Sequence, residues 1–404
     1  MTEKFPLFQL PLAACTKVLL KMDPINLLEM YNVGNRTTKQ IITSACKDKM
    51  TISVDFDVFG RRDRLGQRFD KNAKYLVTLK GNGFRNYIYV MAKKLIERKQ
   101  NLVDRFFGEK KIPCIFKKPD EPEEEAVTAA APSNDVEDDE EGNDKHEKKN
   151  HQKQVIITYW DYEIFDAVMN LVDFLCEVFD SRIYEIITSR TMSIHKFRIV
   201  IHWLISRQST IKSIRYWNDD LSETDIKMFF ENCIVTERLF ISMKYNDVIK
   251  NYRYFDLDTL RIGRASWLTL NYLLDMDSVI FTVSGTHFTG NDWNMFFKSW
   301  MNGTNFRLRA LSLCSREKIN EQDALEGLTY NRRPEHLVTR YKKYRIGDSR
   351  YVFPVCGGLD IRRYDGTLAT IDVSLIDYKC ILFVVWDESD IFGGWNSHSF
   401  PDDD

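Results

Sequence analysis

The sequence lacks the short motifs by which many soluble enzymes and metalloproteins are recognised. None of the patterns G-x-x-x-x-G-K-[ST], G-x-G-x-x-G, G-x-S-x-G and H-E-x-x-H occurs, so no phosphate-binding loop, dinucleotide fingerprint, nucleophile elbow or zinc-protease helix is indicated. His195 and His202 fall on one predicted helix without a third ligand nearby, and we interpret them as core or surface histidines. The sequence therefore predicts no catalytic residue, no metal and no cofactor.

Paired cysteines and long apolar runs are also missing. The eight cysteines stand singly, without a C-x-x-C pair, which argues against a zinc site or a thioredoxin-like redox motif. Most lie in apolar periodic segments, where a reduced, buried thiol is expected. No run approaches the roughly 18 apolar residues of a membrane span, and Glu3, Lys17 and interrupting prolines exclude a signal peptide. A cytoplasmic or nuclear protein without membrane association is expected.

Charge is concentrated in one segment. Between Pro119 and Lys153, 13 Asp and Glu residues face 4 lysines, a local charge of −9, so the rest of the chain carries +7. That positive surplus is spread along the sequence, which does not favour nucleic-acid binding. Residues 117–153 have no aromatic side chain and too little apolar surface to offset the entropy of ordering. We predict a disordered acidic linker there.

Hydrophobic patterning divides the rest of the chain. Residues 5–46 are apolar but are cut by prolines into short pieces. Residues 50–116 are predicted to be β-rich, because Ile52, Val54, Phe56 and Val58 alternate with polar residues and residues 75–91 form two strands around a Gly-Asn-Gly turn. Residues 91–107 are predicted to form a helix at the end of that sheet segment. Over 154–392, β-rich runs that start 20–30 residues apart alternate with amphipathic helices, which is typical of a leucine-rich-repeat-like β–α solenoid. Residues 393–404 are predicted to be a frayed tail.

Local sequence signals locate the starts of two helices and the loop of one hairpin. Ser222 with Asp225 and Thr289 with Asp292 match capping boxes, and each precedes an apolar stripe at helical spacing. In GLDIRRYDGTLATIDVS, a three-residue loop, Tyr364-Asp365-Gly366, keeps one face of a hairpin apolar. The predicted partners are Ile361 with Ala369 and Leu359 with Ile371.

Two stretches resemble known modules. FPLFQLPLAACTKVLLKMDPINLLEMYNVGNRTTKQIITS (5–44) resembles the F-box, a helical module that binds a Skp-type adaptor of cullin–RING ubiquitin ligases. SWLTLNYLLDMDSVIFTVSGTHFTGNDWNMFFKSWMNGTNFRLRALSL and LDIRRYDGTLATI resemble the type-2 F-box-associated domain of a large nematode family. The resemblance to the F-box implies an adaptor-binding set consisting of Leu10, Pro11, Val18, Leu19, Met22, Pro24, Leu27 and Leu28.

Patterning and resemblance together predict an α+β chain with a small N-terminal all-α F-box (5–46), a short β-sheet segment (50–116), a linker (117–153) that departs from a compact arrangement, and a leucine-rich-repeat-like F-box-associated domain (154–392). The implied function is that of a non-catalytic substrate receptor, with a Skp-type adaptor, cullin–RING components and an unknown target protein as partners. Exposed strand positions are candidates for target contact, for example Arg215, Ser242, Arg261 and Thr282. One alternative is a protein that binds the adaptor without cullin-dependent degradation. Another is an enzyme whose site is assembled from distant residues.

Overall fold

The computed structural model describes residues 7–56, 75–81, 84–92, 102–107, 109–117, 152–160, 163–188, 192–216, 222–242, 257–333, 340–346, 349–355, 357–372 and 379–387. These residues fall into two compact units, one up to Met192 and one from Ser193 onward. The predicted acidic linker, apart from its ends, and the predicted tail lie outside the described residues. Among the described helices, none combines the length and the apolar character that crossing a membrane requires.

The first unit begins with a 3-10 turn, Leu7–Gln9, and three helices: α1 (Leu12–Leu19), α2 (Pro24–Val33) and α3 (Arg36–Cys46). α2 starts where it does because the Asp23 carboxylate accepts a hydrogen bond from the Ile25 N–H, and Pro24 takes the first helical position, which needs no donor. Asn35 caps α3 in the same way through the Thr38 N–H. The turns between these helices are therefore specified by local capping chemistry.

The sheet of the first unit is mixed. Its elements are β1 (Thr51–Asp55), β2 (Tyr75–Gly81), β3 (Phe84–Ala92), β4 (Val103–Phe107), β5 (Lys110–Lys117), β6 (Gln152–Trp160), helix α4 (Ile164–Phe179) and β7 (Ile183–Ile187). The strand order is β7-β1-β2-β3-β6-β5-β4, with β1–β7 and β3–β6 parallel and the remaining pairs antiparallel. Phe165 of α4 packs against Phe56 and Tyr75, at 5.7 and 6.0 Å between ring centroids, so α4 covers β1 and β2.

The predicted N-terminal all-α module was wrong. α3 packs against α4, and α2 contacts β4, so the three helices belong to the same compact unit as the mixed sheet. Forty residues of short helices bury too little of their own surface to stand alone, and here the sheet unit supplies the missing apolar contacts. The predicted helix over 91–107 was wrong at both ends, because Met91 and Ala92 belong to strand β3 and Val103–Phe107 is strand β4. Residues 93–101 lie outside the described residues.

The second unit contains a longer mixed sheet. Its elements are α5 (Ile194–Arg207), β8 (Thr210–Tyr216), α6 (Glu223–Asn232), β9 (Ile234–Ser242), β10 (Thr259–Gly263), α7 (Leu270–Asp275), β11 (Ile280–Thr286), α8 (Gly290–Met301), β12 (Ala310–Ser315), α9 (Glu321–Leu325), β13 (Asn331–Arg333), β14 (Arg340–Ile346), β15 (Ser349–Val355), β16 (Gly358–Arg362), β17 (Leu368–Asp372) and β18 (Cys380–Trp386). The order is β8-β9-β10-β11-β12-β18-β17-β16-β13, and β14–β15 form a separate hairpin.

One apolar stripe of α8 forms the centre of this unit. Trp293, Phe296, Phe297 and Trp300 have no exposed surface, because they fall at i, i+3, i+4 and i+7 on one helical face. Three of these rings lie within 5.8 Å of the Phe383 ring centroid of β18. The helix therefore covers the part of the sheet that includes β18.

The predicted leucine-rich-repeat-like solenoid was also wrong. The parallel run of strands begins at β8 and ends at β12, because β18 pairs antiparallel with β12, Ala310 opposite Val384. Strands β17, β16 and β13 then extend the sheet with antiparallel pairs. A solenoid would repeat the parallel strand–helix step. The chain instead builds a mostly β, mixed sheet in each unit.

Two cysteines depart from the expected reduced state. Cys314 and Cys380 face each other across β12 and β18 and form a disulfide. Cys46, Cys114 and Cys233 are buried thiols, and burial raises their pKa values to about 11, about 12 and about 12. These three thiols stay protonated near neutral pH and behave as small core residues.

Candidate functional site

The predicted adaptor-binding residues divide between core and surface. Leu19, Pro24, Leu27 and Leu28 are buried, Leu10 and Met22 are half-buried, and Pro11 and Val18 are exposed. Phe8 and Leu12 are also exposed, Leu12 by 63%. By helical geometry, Leu12 and Val18 flank the buried stripe of Cys15 and Leu19 on α1. We call Phe8, Pro11, Leu12 and Val18 the α1 apolar surface.

Polar contacts hold this helical region on the sheet unit. The Arg105 guanidinium lies 2.6 Å from the Glu29 carboxylate, and Asn32 Nδ2 donates to the Phe106 carbonyl at 2.6 Å, which ties α2 to β4. Lys47 pairs with Asp180 at 3.0 Å after the end of α3. Charged and amide groups therefore fix α2 and α3, whereas α1 has no side-chain cap and relies on its buried stripe.

Three of the four candidate target-contact positions share one row of the second sheet. The register sets Arg215 beside Phe240, Phe240 beside Arg261 and Arg261 beside Thr282. The Arg215 guanidinium lies 4.9 Å from the Phe240 ring centroid, a cation–π distance, and burial lowers the pKa of Arg261. Ser242 is buried, so it does not belong to an exposed contact surface.

A third candidate surface lies where the β16–β17 hairpin meets the loop after α8. The predicted register of this hairpin is confirmed, with Leu359 opposite Ile371 and Ile361 opposite Ala369. Gly366 has φ +88°, the left-handed conformation that the three-residue loop requires. The loop Tyr364-Asp365-Gly366 is closed by the Arg363 N–H, which donates to the Thr367 carbonyl at 2.9 Å.

The tip of this hairpin is held by a buried arginine. Arg363 donates from Nε and Nη2 to the Asp365 carboxylate at 2.8–3.1 Å, and the Thr367 N–H donates to the same group. These hydrogen bonds, above all those from Arg363, hold the pKa of Asp365 well below its usual range. The Arg363 guanidinium also lies 4.6 Å from the Phe306 ring centroid and 5.4 Å from that of Trp300, which fixes the hairpin against α8.

The loop after α8 is equally constrained. Asn305, at φ +51°, directs its Nδ2 to the carbonyls of Leu273, Leu274 and Met276 at the end of α7. Gly303 has φ +100° and leaves room for the Tyr364 ring, and the Tyr364 N–H donates to the Met301 carbonyl at 2.9 Å. Sequence reasoning did not assign a site here. The sequence marks this region only through two segments, NGTN and RRYDGT, that contribute to the family resemblance.

Within the described ranges, no group of three or more His, Cys, Asp or Glu side chains is arranged to hold a metal ion. His195 and His202 both lie on α5 and are exposed. The three candidate surfaces, namely the α1 apolar surface, the strand row and the hairpin tip, are therefore described by apolar exposure, contacts and charge.

Comparison with known proteins bears on the second unit. Residues 246–313 match the F-box associated family. The match includes β10, β11, α8 and most of β12, together with the Thr289–Asp292 capping box. Over 161 residues the chain is 22% identical to an uncharacterised protein of Caenorhabditis elegans, an alignment that covers 39% of this chain and 37% of that relative. The chain thus spans well under half of that relative's length. No solved structure matches the chain.

Proposed function

We propose that this chain is a substrate receptor of a cullin–RING ubiquitin ligase and performs no covalent chemistry itself. The observation that carries the proposal is the match of residues 246–313 to the F-box associated family. The resemblance of residues 5–44 to an adaptor-binding module supports it. In this role, the N-terminal helices bind a Skp-type adaptor and the second unit binds the protein to be ubiquitinated.

The burial pattern supports a division of labour among the predicted adaptor-binding residues. Leu19, Leu27 and Leu28 are at most 2% exposed, so they hold α1 and α2 in place. The apolar side chains of the α1 apolar surface are exposed to water. Burying them against a partner would contribute a favourable free energy of roughly 25 cal/mol for each Å² of apolar area. In the proposed complex, Pro11, Leu12 and Val18 contact the adaptor, and Leu10 and Met22 lie at the edge of the contact.

Co-expression with a Skp-type adaptor tests this assignment. The wild-type chain is expected to co-purify with the adaptor, and a chain with Leu12→Asp and Val18→Asp is expected to lose it, because two carboxylates would be desolvated at the contact. Val33→Asp is the matched control, since Val33 is 86% exposed near the end of α2 but lies outside the α1 apolar surface. Equal adaptor recovery with the double variant would contradict the proposed contact.

A protein that binds the adaptor without directing degradation is the second candidate. The family match supports an F-box-associated role, and adaptor binding alone would satisfy that role. The two candidates differ in one observable property, the presence of cullin and RING subunits in the purified complex.

A further inference from the structure

Two exposed aromatic rings stand at the tip of the β16–β17 hairpin. Tyr364 is 70% exposed and Phe306 is 49% exposed, and their rings meet edge to face at 6.4 Å between centroids. Arg362, also exposed, precedes the tip. We call Phe306, Arg362 and Tyr364 the aromatic tip. Single exposed apolar residues are ordinary, but two exposed aromatic rings in contact, with an exposed arginine bonded to the Gly366 carbonyl of the same hairpin tip, have the composition that protein-binding hot spots favour.

The aromatic tip is held rigidly before any partner arrives. The Tyr364 backbone is bonded to Met301, its ring lies against Gly303, and the neighbouring Arg363 is fixed by Asp365. A side chain that is already ordered loses less conformational entropy on binding. Tyrosine adds large contact area with only two rotatable side-chain bonds. Several internal hydrogen bonds therefore fix the position of the Tyr364 ring, although no other part of the described chain covers most of that ring.

Charge around the aromatic tip indicates what kind of segment it would accept. The neighbouring arginines have carboxylate partners: Arg363 pairs with Asp365, Arg307 with Asp258 and Arg309 with Asp387. Arg362 donates one hydrogen bond from Nη1 to the Gly366 carbonyl and has no carboxylate partner within the described part of the chain. A guanidinium has five donors, so Arg362 retains donors for an acceptor on a partner.

We propose that the aromatic tip is a target-binding surface, and that it accepts a protein segment with a large apolar side chain next to a carboxylate. The apolar side chain packs on Tyr364 and Phe306, and the carboxylate accepts hydrogen bonds from Arg362. The surface is a raised tip with no enclosing walls, which suits a protein segment better than a small molecule that needs a concave site. This inference rests on the proposed receptor function, because only a substrate receptor would bind a target protein at this surface.

Selection from a displayed library of random peptides tests the inference. The immobilised protein is the full chain, and binders are counter-selected against the full chain carrying Tyr364→Ala. Enriched peptides are expected to pair an aliphatic, proline or aromatic residue with Asp or Glu within one or two positions. Failure to enrich any peptide on the wild-type chain over the Tyr364→Ala chain would overturn the inference.

Matched variants then separate the two components of recognition. For an enriched peptide, Tyr364→Ala is expected to weaken binding about thirtyfold, as for a hot-spot aromatic residue. The control Ile234→Ala removes another exposed apolar side chain, 53% exposed at the start of β9, and is expected to leave the dissociation constant unchanged. Arg362→Glu is expected to reverse the charge preference of the selected peptides, whereas Arg316→Glu, at an exposed arginine after β12, is expected to preserve it. Equal losses in variant and control would overturn the assignment.

Two further readouts keep the outcomes distinct. Adaptor recovery is measured for the wild-type and Tyr364→Ala chains and is expected to be equal. If neither chain binds the adaptor, the receptor function is refuted, whereas the peptide selection still tests binding at the aromatic tip. The oligomeric state is measured by light scattering. A dimer that Tyr364→Ala converts to a monomer would assign the aromatic tip to a second copy of this chain and overturn the target assignment.

Discussion

At the scale of single residues, Gly303 determines how Tyr364 is presented. Its φ of +100° is unfavourable for a residue with a Cβ, and a Cβ there would clash with Tyr364 Cε1. Gly366 has a similar φ of +88°, but a Cβ there would meet nothing within 4 Å. The two glycines therefore differ mainly in the space around them.

We predict that Gly303→Ala destabilises the chain more than Gly366→Ala. Both variants incur a left-handed backbone cost of about 1–2 kcal/mol, and only Gly303→Ala also displaces the Tyr364 ring. Adding Tyr364→Ala to Gly303→Ala is expected to recover the difference. Chemical denaturation of the four chains measures these free energies of unfolding, and equal values for the two single glycine variants would refute the steric argument.

Asp23 is a second residue whose environment allows its effect on stability to be predicted. Its carboxylate caps α2, but burial raises its pKa despite the hydrogen bonds from Ile25 and Asn86. A raised folded-state pKa means that ionisation costs stability as the pH rises above the unfolded value of 3.8. Asn caps helices as well as Asp does and carries no charge.

Asp23→Asn is therefore expected to unfold at a higher temperature than wild type at pH 7, with the advantage disappearing below about pH 4. Asp23→Ala loses the cap and is expected to cost about 1 kcal/mol. Thermal unfolding at the two pH values measures both effects. A less stable Asn variant at pH 7 would show that the carboxylate charge is favourable at this helix start.

At the scale of elements, the two capping boxes share a sequence pattern but differ in context. Both predicted boxes are confirmed, Ser222 with Asp225 on α6 and Thr289 with Asp292 on α8. Asp225 also accepts hydrogen bonds from Arg198 of α5, and its side chain is only 4% exposed. The first box thus joins two helices, whereas the second serves its own helix.

We predict that Asp225→Asn costs about 2 kcal/mol, since charge-assisted hydrogen bonds are lost, and that Asp292→Asn costs less than 1 kcal/mol. The hydrogen bonds from Arg198 lower the pKa of Asp225, so its contribution is present above the unfolded value of 3.8 and lost as the pH falls through the lower folded value. Urea denaturation at pH 7 and at progressively lower pH measures this. Identical costs for the two variants at pH 7 would contradict the role of Arg198.

Local patterns predicted elements well and their long-range pairing poorly. The runs that become β8 to β12, and the register of the β16–β17 hairpin, follow from alternation and turn chemistry within each segment. The insertion of β18 between β12 and β17 has no local signature, because strand partners distant in sequence are chosen by packing. For the same reason, the Cys314–Cys380 disulfide and the contacts of α2 and α3 with the first sheet unit were missed.

For the candidate sites, the sequence indicates apolar residues but does not indicate which of them are exposed. Leu19, Leu27 and Leu28 were predicted to bind the adaptor and are buried in the unit, since a degenerate apolar motif does not distinguish core residues from contact residues. Leu12 and the aromatic tip were not singled out, because exposure of an apolar side chain depends on which neighbours the fold supplies.

At the scale of the whole molecule, the receptor proposal requires an adaptor surface and a target surface in one chain. The packing of α3 on α4 and of α2 on β4 means that deletion of the first 46 residues would expose the core of the first unit. Point variants on the α1 apolar surface, which leave the buried stripe intact, are therefore the appropriate tools.

The most direct test is the recovery of cullin and RING subunits with the tagged full chain from cells in which the proteasome is blocked. The account predicts that adaptor, cullin and RING subunits are recovered together with the wild-type chain and with Val33→Asp, and that all three are lost with Leu12→Asp and Val18→Asp combined. Recovery of the adaptor without cullin from the wild-type chain would contradict the receptor function and favour an adaptor-binding protein outside the degradation pathway.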